Sequence, residues 1–209
     1  MSASSWFQKL ECFIRYVDAN PARYDVYSYM NSYLEVDDAS DIASAGTGFF
    51  THQSNRYDIG DFEAMEARNP GRIFIHHTSN LARGIGTQVS TSFNNQLRQY
   101  ARDRNKYLLD VAAILSHDPS GNPCYDNRDG VPYSNGNASE NYPDDGQNIP
   151  ALCQHYTRET DGGHLGNPDV GKIRVAKAFW VLMARIAGWN PGGPGAPRPL
   201  APANLRIVR

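Results

Sequence analysis

An aspartate and a histidine separated by two glycines, Asp161-Gly-Gly-His164, stand shortly before the last apolar repeat of the chain, which begins at Ile173. Glycines favour a turn, so the spacing predicts a loop and not a helical face. A carboxylate that accepts the Nδ1 proton of an imidazole sets its tautomer and leaves Nε2 as a base. Three residues of tight turn can bring both side chains to one mouth. General-base chemistry is therefore the expectation for His164, with Asp161 as its orienting partner. The alternative on spacing alone is a turn capped by Asp161 with His164 on the surface.

Such a pair needs a scaffold, and the apolar pattern predicts one. Trp6, Leu10, Phe13, Ile14 and Val17 recur at spacings of three and four, a helix over 5–19 that ends before Pro21. Residues 24–30 and 72–77 read as strands, and 59–69 between them as a short helix stopped by Pro70 and Gly71. Residues 31–57 have no clean period and read as a long loop. Val89, Phe93, Leu97 and Tyr100 mark a further helix, "KYLLDVAAIL" (106–115) reads as a third strand, and Ile173, Ala176, Trp180, Met183 and Ala187 mark the face of a closing helix. Helices alternating with short apolar strands predict the α/β class with a parallel sheet covered on both faces.

In open parallel sheets ligands bind beyond the carboxyl ends of the strands, placed by this reading at 30–32, 76–80 and 116–118. His76, His77, His117, His155 and His164, five of the six histidines, lie at or after these ends, which concentrates chemistry there. The stretch from Ser116 to His164 has almost no period, and so long a loop in a compact domain is usually functional.

The block "DGGHL" before a final amphipathic helix resembles the last motif of the SGNH (GDSL-type) ester hydrolases, Asp-x-x-His. The segments "KLECFIRYV", "YDVYSYMNSYLEV", "GRIFIHHTSNL" and "NKYLLDVAAILSHDPSGNP" are similar to the second half of that fold, over residues 8–189. The resemblance implies a flavodoxin-like three-layer α/β/α sandwich, with His164 as general base, Asp161 as its partner, and Asn31 near the position of an oxyanion-hole asparagine. At Asn31 the pattern departs, since Tyr29 stands where the family has glycine. It departs further at the nucleophile. The family's serine follows a first strand, whereas only 24 residues precede Asp25 here, and they read as a helix. A partial hydrolase domain is one explanation. A different serine is another, and Ser79 is best placed, just past a strand end beside His76 and His77. A non-catalytic remnant is the third. Without earlier strands, the strand at 24–30 is an exposed sheet edge, and a homodimer through it is expected.

Two rivals use other residues. Zinc or manganese could be held by some of His76, His77, His117, Asp118, Asp161 and His164, although adjacent His76 and His77 on a strand point to opposite faces. Asp118, Ser120, Asn122, Asp126 and Asp129 have calcium-like spacing, but Pro123 replaces the glycine of an EF-hand and Asp129 its glutamate. Tyr125, Tyr133, Tyr142 and Tyr156 could form a rim facing a carbohydrate or polymer.

Composition narrows the partners. A net charge of -2 without basic runs predicts no nucleic-acid and no anionic-membrane partner, and no apolar run reaches the length of a membrane span. No cofactor is implied, and the expected partner is a small-molecule or polymer ester. Cys124 and Cys153 bracket a polar loop that a disulfide would restrain, which predicts an oxidising, secreted or extracellular setting. Cys12 is expected as a small core residue on the first helix. Residues 1–189 form the expected hydrolase domain, and the Pro/Gly-rich 190–209 a linker toward a further module.

Overall fold

The computed structural model describes residues 5–37, 39–79, 81, 87–126, 143–158, 164–165 and 169–189. Residues 190–209, expected as a linker, and the N-terminal serines before Ser5 lie outside the described residues. Helix α1 (Trp6–Ala19) is capped at Ser5, whose N–H donates to Gln8 Oε1 at 2.9 Å. Strand β1 (Val26–Met30) follows, then a 3-10 turn (Tyr33–Glu35) and a long loop. Asp58 caps α2 (Ile59–Arg68) by accepting from the Gly60 N–H at 2.7 Å. The chain leaves α2 through Asn69, Pro70 and Gly71, where φ is +83° and a side chain would be strained. Strand β2 (Ile73–His77) leads to α3 (Gln88–Asp103), capped by Thr87, then β3 (Tyr107–Leu109), α4 (Val111–Leu115) and α5 (Val170–Ile186).

The class is α/β, with a small parallel sheet in the order β1-β2-β3. Val26 to Met30 pair with Ile73 to His77, and Ile75 to His77 with Tyr107 to Leu109. Strand alternation sends successive side chains to opposite faces, and the core sorts accordingly. Tyr27, Tyr29, Phe74 and Leu108 pack with Trp6, Leu10, Phe62 and Phe93 of α1, α2 and α3. Val26, Ile73, Ile75 and Leu109 pack with Leu115 of α4 and Phe179 and Leu182 of α5. Among the described residues β1 has a paired strand on one side only.

Three expectations are corrected. The third strand stops at Leu109, because the Asp110 carboxylate accepts from the Ala113 N–H at 3.0 Å and starts α4, whose alanines favour helix. The carboxyl end of that strand is thus Asp110, and His117 and Asp118 follow a helix instead. Helix α5 packs through Val175, Ala178, Phe179, Leu182, Met183 and Ile186, leaving Ile173 half exposed and Ala176 and Ala187 outward. Its sequence is apolar on more than one side, so period alone does not choose the face. Cys12 is a free, exposed thiol, since α1 turns Leu10, Ile14 and Val17 inward.

Cys124 and Cys153 are bonded. The bridge ties the loop to α4, where the Cys153 N–H donates to Leu115 O at 3.0 Å and the Cys124 N–H to Ser116 O at 2.8 Å. In the chain-entropy description a closed loop of about 30 residues contributes about 3.5 kcal/mol. Cys124→Ser/Cys153→Ser should lower the unfolding free energy by about that much in a urea titration. An unchanged midpoint would show the loop to be held by its packing alone.

Candidate active site

The carboxyl end of β1 is built from short-range hydrogen bonds. Tyr29 and Asn31 are two residues apart along an extended chain and share a face, and the Tyr29 hydroxyl donates to Asn31 Oδ1 at 3.1 Å. The next residues form a capping-box pattern, Ser32-x-x-Glu35, in which the Ser32 N–H donates to Glu35 Oε2 at 2.7 Å. Glu35 is buried and forms an ion pair with the half-exposed Lys9 of α1. This turn fixes Asn31, which is 2% exposed, and presents Tyr33.

His164 comes to the same end. Its ring lies edge-on to Tyr33, with centroids 6.3 Å apart. The following residue, Leu165, packs into the core under α5. Gly171 makes that packing close. A β-carbon there would come within 2.9 Å of both Leu165 Cδ2 and Tyr156 Cβ. The loop before α5 is thus anchored by Leu165 while the exposed His164 reaches the end of β1. Its partner in the sequence motif, Asp161, lies outside the described residues.

The end of β2 is more enclosed. His76 is buried against Phe62, at 4.6 Å, and Tyr100, at 5.5 Å, with Nε2 3.8 Å from Glu66 Oε1. Burial pushes the Glu66 carboxyl up, but His76 and Lys106 outweigh it and hold it below the usual carboxylate range. His77 faces the other way, 6.2 Å from Phe179. Ser79 is fully buried, and its N–H donates to Asn94 Oδ1 at 2.8 Å. The structure therefore brings Asn31 and His164 to one strand end, with Ser79 at the neighbouring end and under cover.

The loop residues do other work. Asp118 accepts from the Ser120 and Asn122 N–H groups, both at 2.8 Å, and from Asn122 Nδ2 at 3.0 Å, which closes a turn. Asp129 lies outside the described residues, as do Tyr133 and Tyr142. Tyr156 leaves the expected rim. It is fully buried, its hydroxyl donating to His117 O at 2.8 Å, because a long aromatic beside Gly171 fills the space under α5. Among the described residues no group of three or more His, Cys, Asp or Glu side chains could hold a metal.

Sequence reasoning met Tyr29 only as a departure from the glycine of the family pattern, and passed over Tyr33 and Glu35. The two tyrosines carry no motif, whereas the Ser32/Glu35 spacing was open to reading as a cap. In comparisons with known proteins, no family model, curated protein or solved structure matches the chain.

Burial, and secondarily His76, push the His77 imidazole down to about 4. In the unfolded chain an imidazole titrates near 6.5, so between about 6.5 and about 4 the unfolded chain binds a proton that the folded one refuses. Stability is full above this window, falls as pH drops through it and levels off below. Nε2 is buried with no hydrogen-bond partner among the described residues, so an apolar ring is tolerated there. His77→Phe should flatten the loss of stability between about pH 7.5 and about pH 4.5 in urea titrations. The same slope in both proteins would assign the acid sensitivity to other groups.

Proposed function

We propose that the chain is an SGNH-like serine ester hydrolase domain on a three-layer α/β/α architecture of the flavodoxin-like kind. The observation that carries this reading is the approach of His164 to Tyr33 at the carboxyl end of β1, next to the buried carboxamide of Asn31. A base and a donor for developing negative charge then meet where a parallel sheet binds its ligand.

In this reading a serine hydroxyl attacks the acyl carbon while His164 takes its proton, and Asp161 holds the imidazole in the accepting tautomer. Negative charge on the carbonyl oxygen is met by Asn31 Nδ2. The intermediate collapses, the alcohol leaves with the proton from His164, and water releases the acyl group by the same steps in reverse roles. Ser79 is the best placed of the serines at the strand ends, just beyond β2, and its cover must be displaced for a substrate to reach it. The substrate class is an ester, most simply an acyl group on a carbohydrate or a short-chain ester, and no cofactor takes part. The Cys124–Cys153 bridge suits a secreted protein. The open side of β1 suits edge-to-edge pairing of two copies.

Hydrolysis of p-nitrophenyl acetate by the chain tests the mechanism. His164→Ala should lower kcat by about 1000-fold or more, and Ser79→Ala should do the same if Ser79 is the nucleophile. Activity indifferent to His164 removes the mechanism.

A further inference from the structure

We propose that Tyr29 is a positioning residue, whose hydroxyl holds the Asn31 carboxamide so that Nδ2 is turned toward the reaction centre. The inference rests on the hydrolase reading above and goes beyond it in naming what orients the donor.

A carboxamide has two ends of opposite character, and only the nitrogen end can donate to an oxyanion. Something must therefore choose between them. The Tyr29 hydroxyl has a single proton to give, and two acceptors lie within its reach: Asn31 Oδ1 at 3.1 Å and Trp6 O at 3.5 Å. The shorter contact wins, because a hydrogen bond at 3.5 Å is at the limit of useful geometry. With Oδ1 engaged by Tyr29, Nδ2 is left on the opposite branch of the amide. Among the described residues nothing accepts a hydrogen bond from it.

The hydroxyl is itself held in place. The Tyr29 ring packs 5.1 Å from Phe13 and 6.3 Å from Phe62, between α1 and α2, so it cannot swing without opening that core. Burial, with Glu35 and Cys12 adding to it, pushes the ionisation of Tyr29 far up, so it remains a neutral donor at any working pH. The backbone beyond Asn31 is fixed from the other side by the Ser32–Glu35 bond and the Lys9–Glu35 ion pair. A donor prepared in this way costs no reorganisation when charge develops, which is where such groups gain their effect. A tyrosine in place of a flexible glycine thus acquires a purpose on this chain.

The test is p-nitrophenyl acetate hydrolysis by four single variants and one double variant. Tyr29→Phe keeps the packed ring and removes only the hydroxyl, and should lower kcat about ten-fold with KM nearly unchanged. Asn31→Ala should lower kcat about 100-fold, and adding Tyr29→Phe to it should cost nothing more, since the two act through one amide. Asn31→Asp keeps an acceptor for Tyr29 but has no donor, and should be as slow as Asn31→Ala, a result that a purely structural role for Asn31 would not give. Wild-type kcat in Tyr29→Phe, full additivity in the double variant, or wild-type kcat in Asn31→Asp overturns the positioning role. The His164→Ala arm separates the two levels of the argument. If it abolishes hydrolysis while Tyr29→Phe does not slow it, the positioning fails and the hydrolase reading stands. No hydrolysis by the unaltered chain, or a rate indifferent to His164, removes both.

Discussion

The Asp110 carboxylate, at the point where β3 gives way to α4, holds three elements at once. It accepts from Arg98 of α3 at 2.7 and 2.9 Å, from the Thr78 hydroxyl past the end of β2 at 3.0 Å, and from the Ala113 N–H of α4 at 3.0 Å. Burial pushes this carboxyl up, yet the balance lies the other way. Hydrogen bonds to a charged group contribute about 1.5–3 kcal/mol each, and Arg98 with the Ala113 N–H holds the carboxyl below its usual range. Thr78 passes the restraint on, its own oxygen accepting from the Ala112 N–H at 2.9 Å and its N–H donating to Leu109 O at 3.2 Å. The strand ends on which any site must be built are thereby locked in register beyond the last ladder pair.

That rigidity separates the two neighbouring strand ends. At β2 the chain turns inward, with Ser79 tied to Asn94 and His76 enclosed by aromatics. At β1 the buried Asn31 is followed two residues on by the half-buried Tyr33, whose ring meets the exposed ring of His164. Polar groups at the two ends therefore differ in what they can meet, although the sequence offers similar polar residues after both strands.

Much of the architecture was legible because it rests on local rules. The three-four repeat of α1, the Pro70-Gly71 stop of α2 and the short runs of aromatic and β-branched residues in β1 and β2 each state their element without help from the rest of the chain. The misreadings have physical causes. "VAAIL" is apolar throughout, so period cannot separate strand from buried helix, and the decision falls to the one capping carboxylate before it. The inward face of α5 is chosen by Gly171, whose missing side chain lets the helix settle onto Tyr156, and not by the count of apolar residues on either side. At the site, Asp161-Gly-Gly-His164 was visible as chemistry, while the turn that receives His164 was not, because Tyr33 acts through its position in three dimensions. Glu35 was hidden differently: its spacing from Ser32 marks a cap, and a cap is rarely searched for chemistry.

The long polar excursion after Asp126 begins and returns through a closed neck. The Asp126 N–H donates to Ile149 O at 3.0 Å, the Ala151 N–H to Cys124 O at 3.0 Å, Tyr125 bridges Pro150, and the disulfide clamps the base. A neck sealed by both a covalent bond and a backbone ladder holds the two ends of the excursion together, and on its return Gln147 accepts from Gln88 Nε2 of α3 at 2.9 Å. With both ends held, the entropy of closing that span grows only slowly with its length, and a single backbone cut within it leaves the two halves joined until the thiols are reduced.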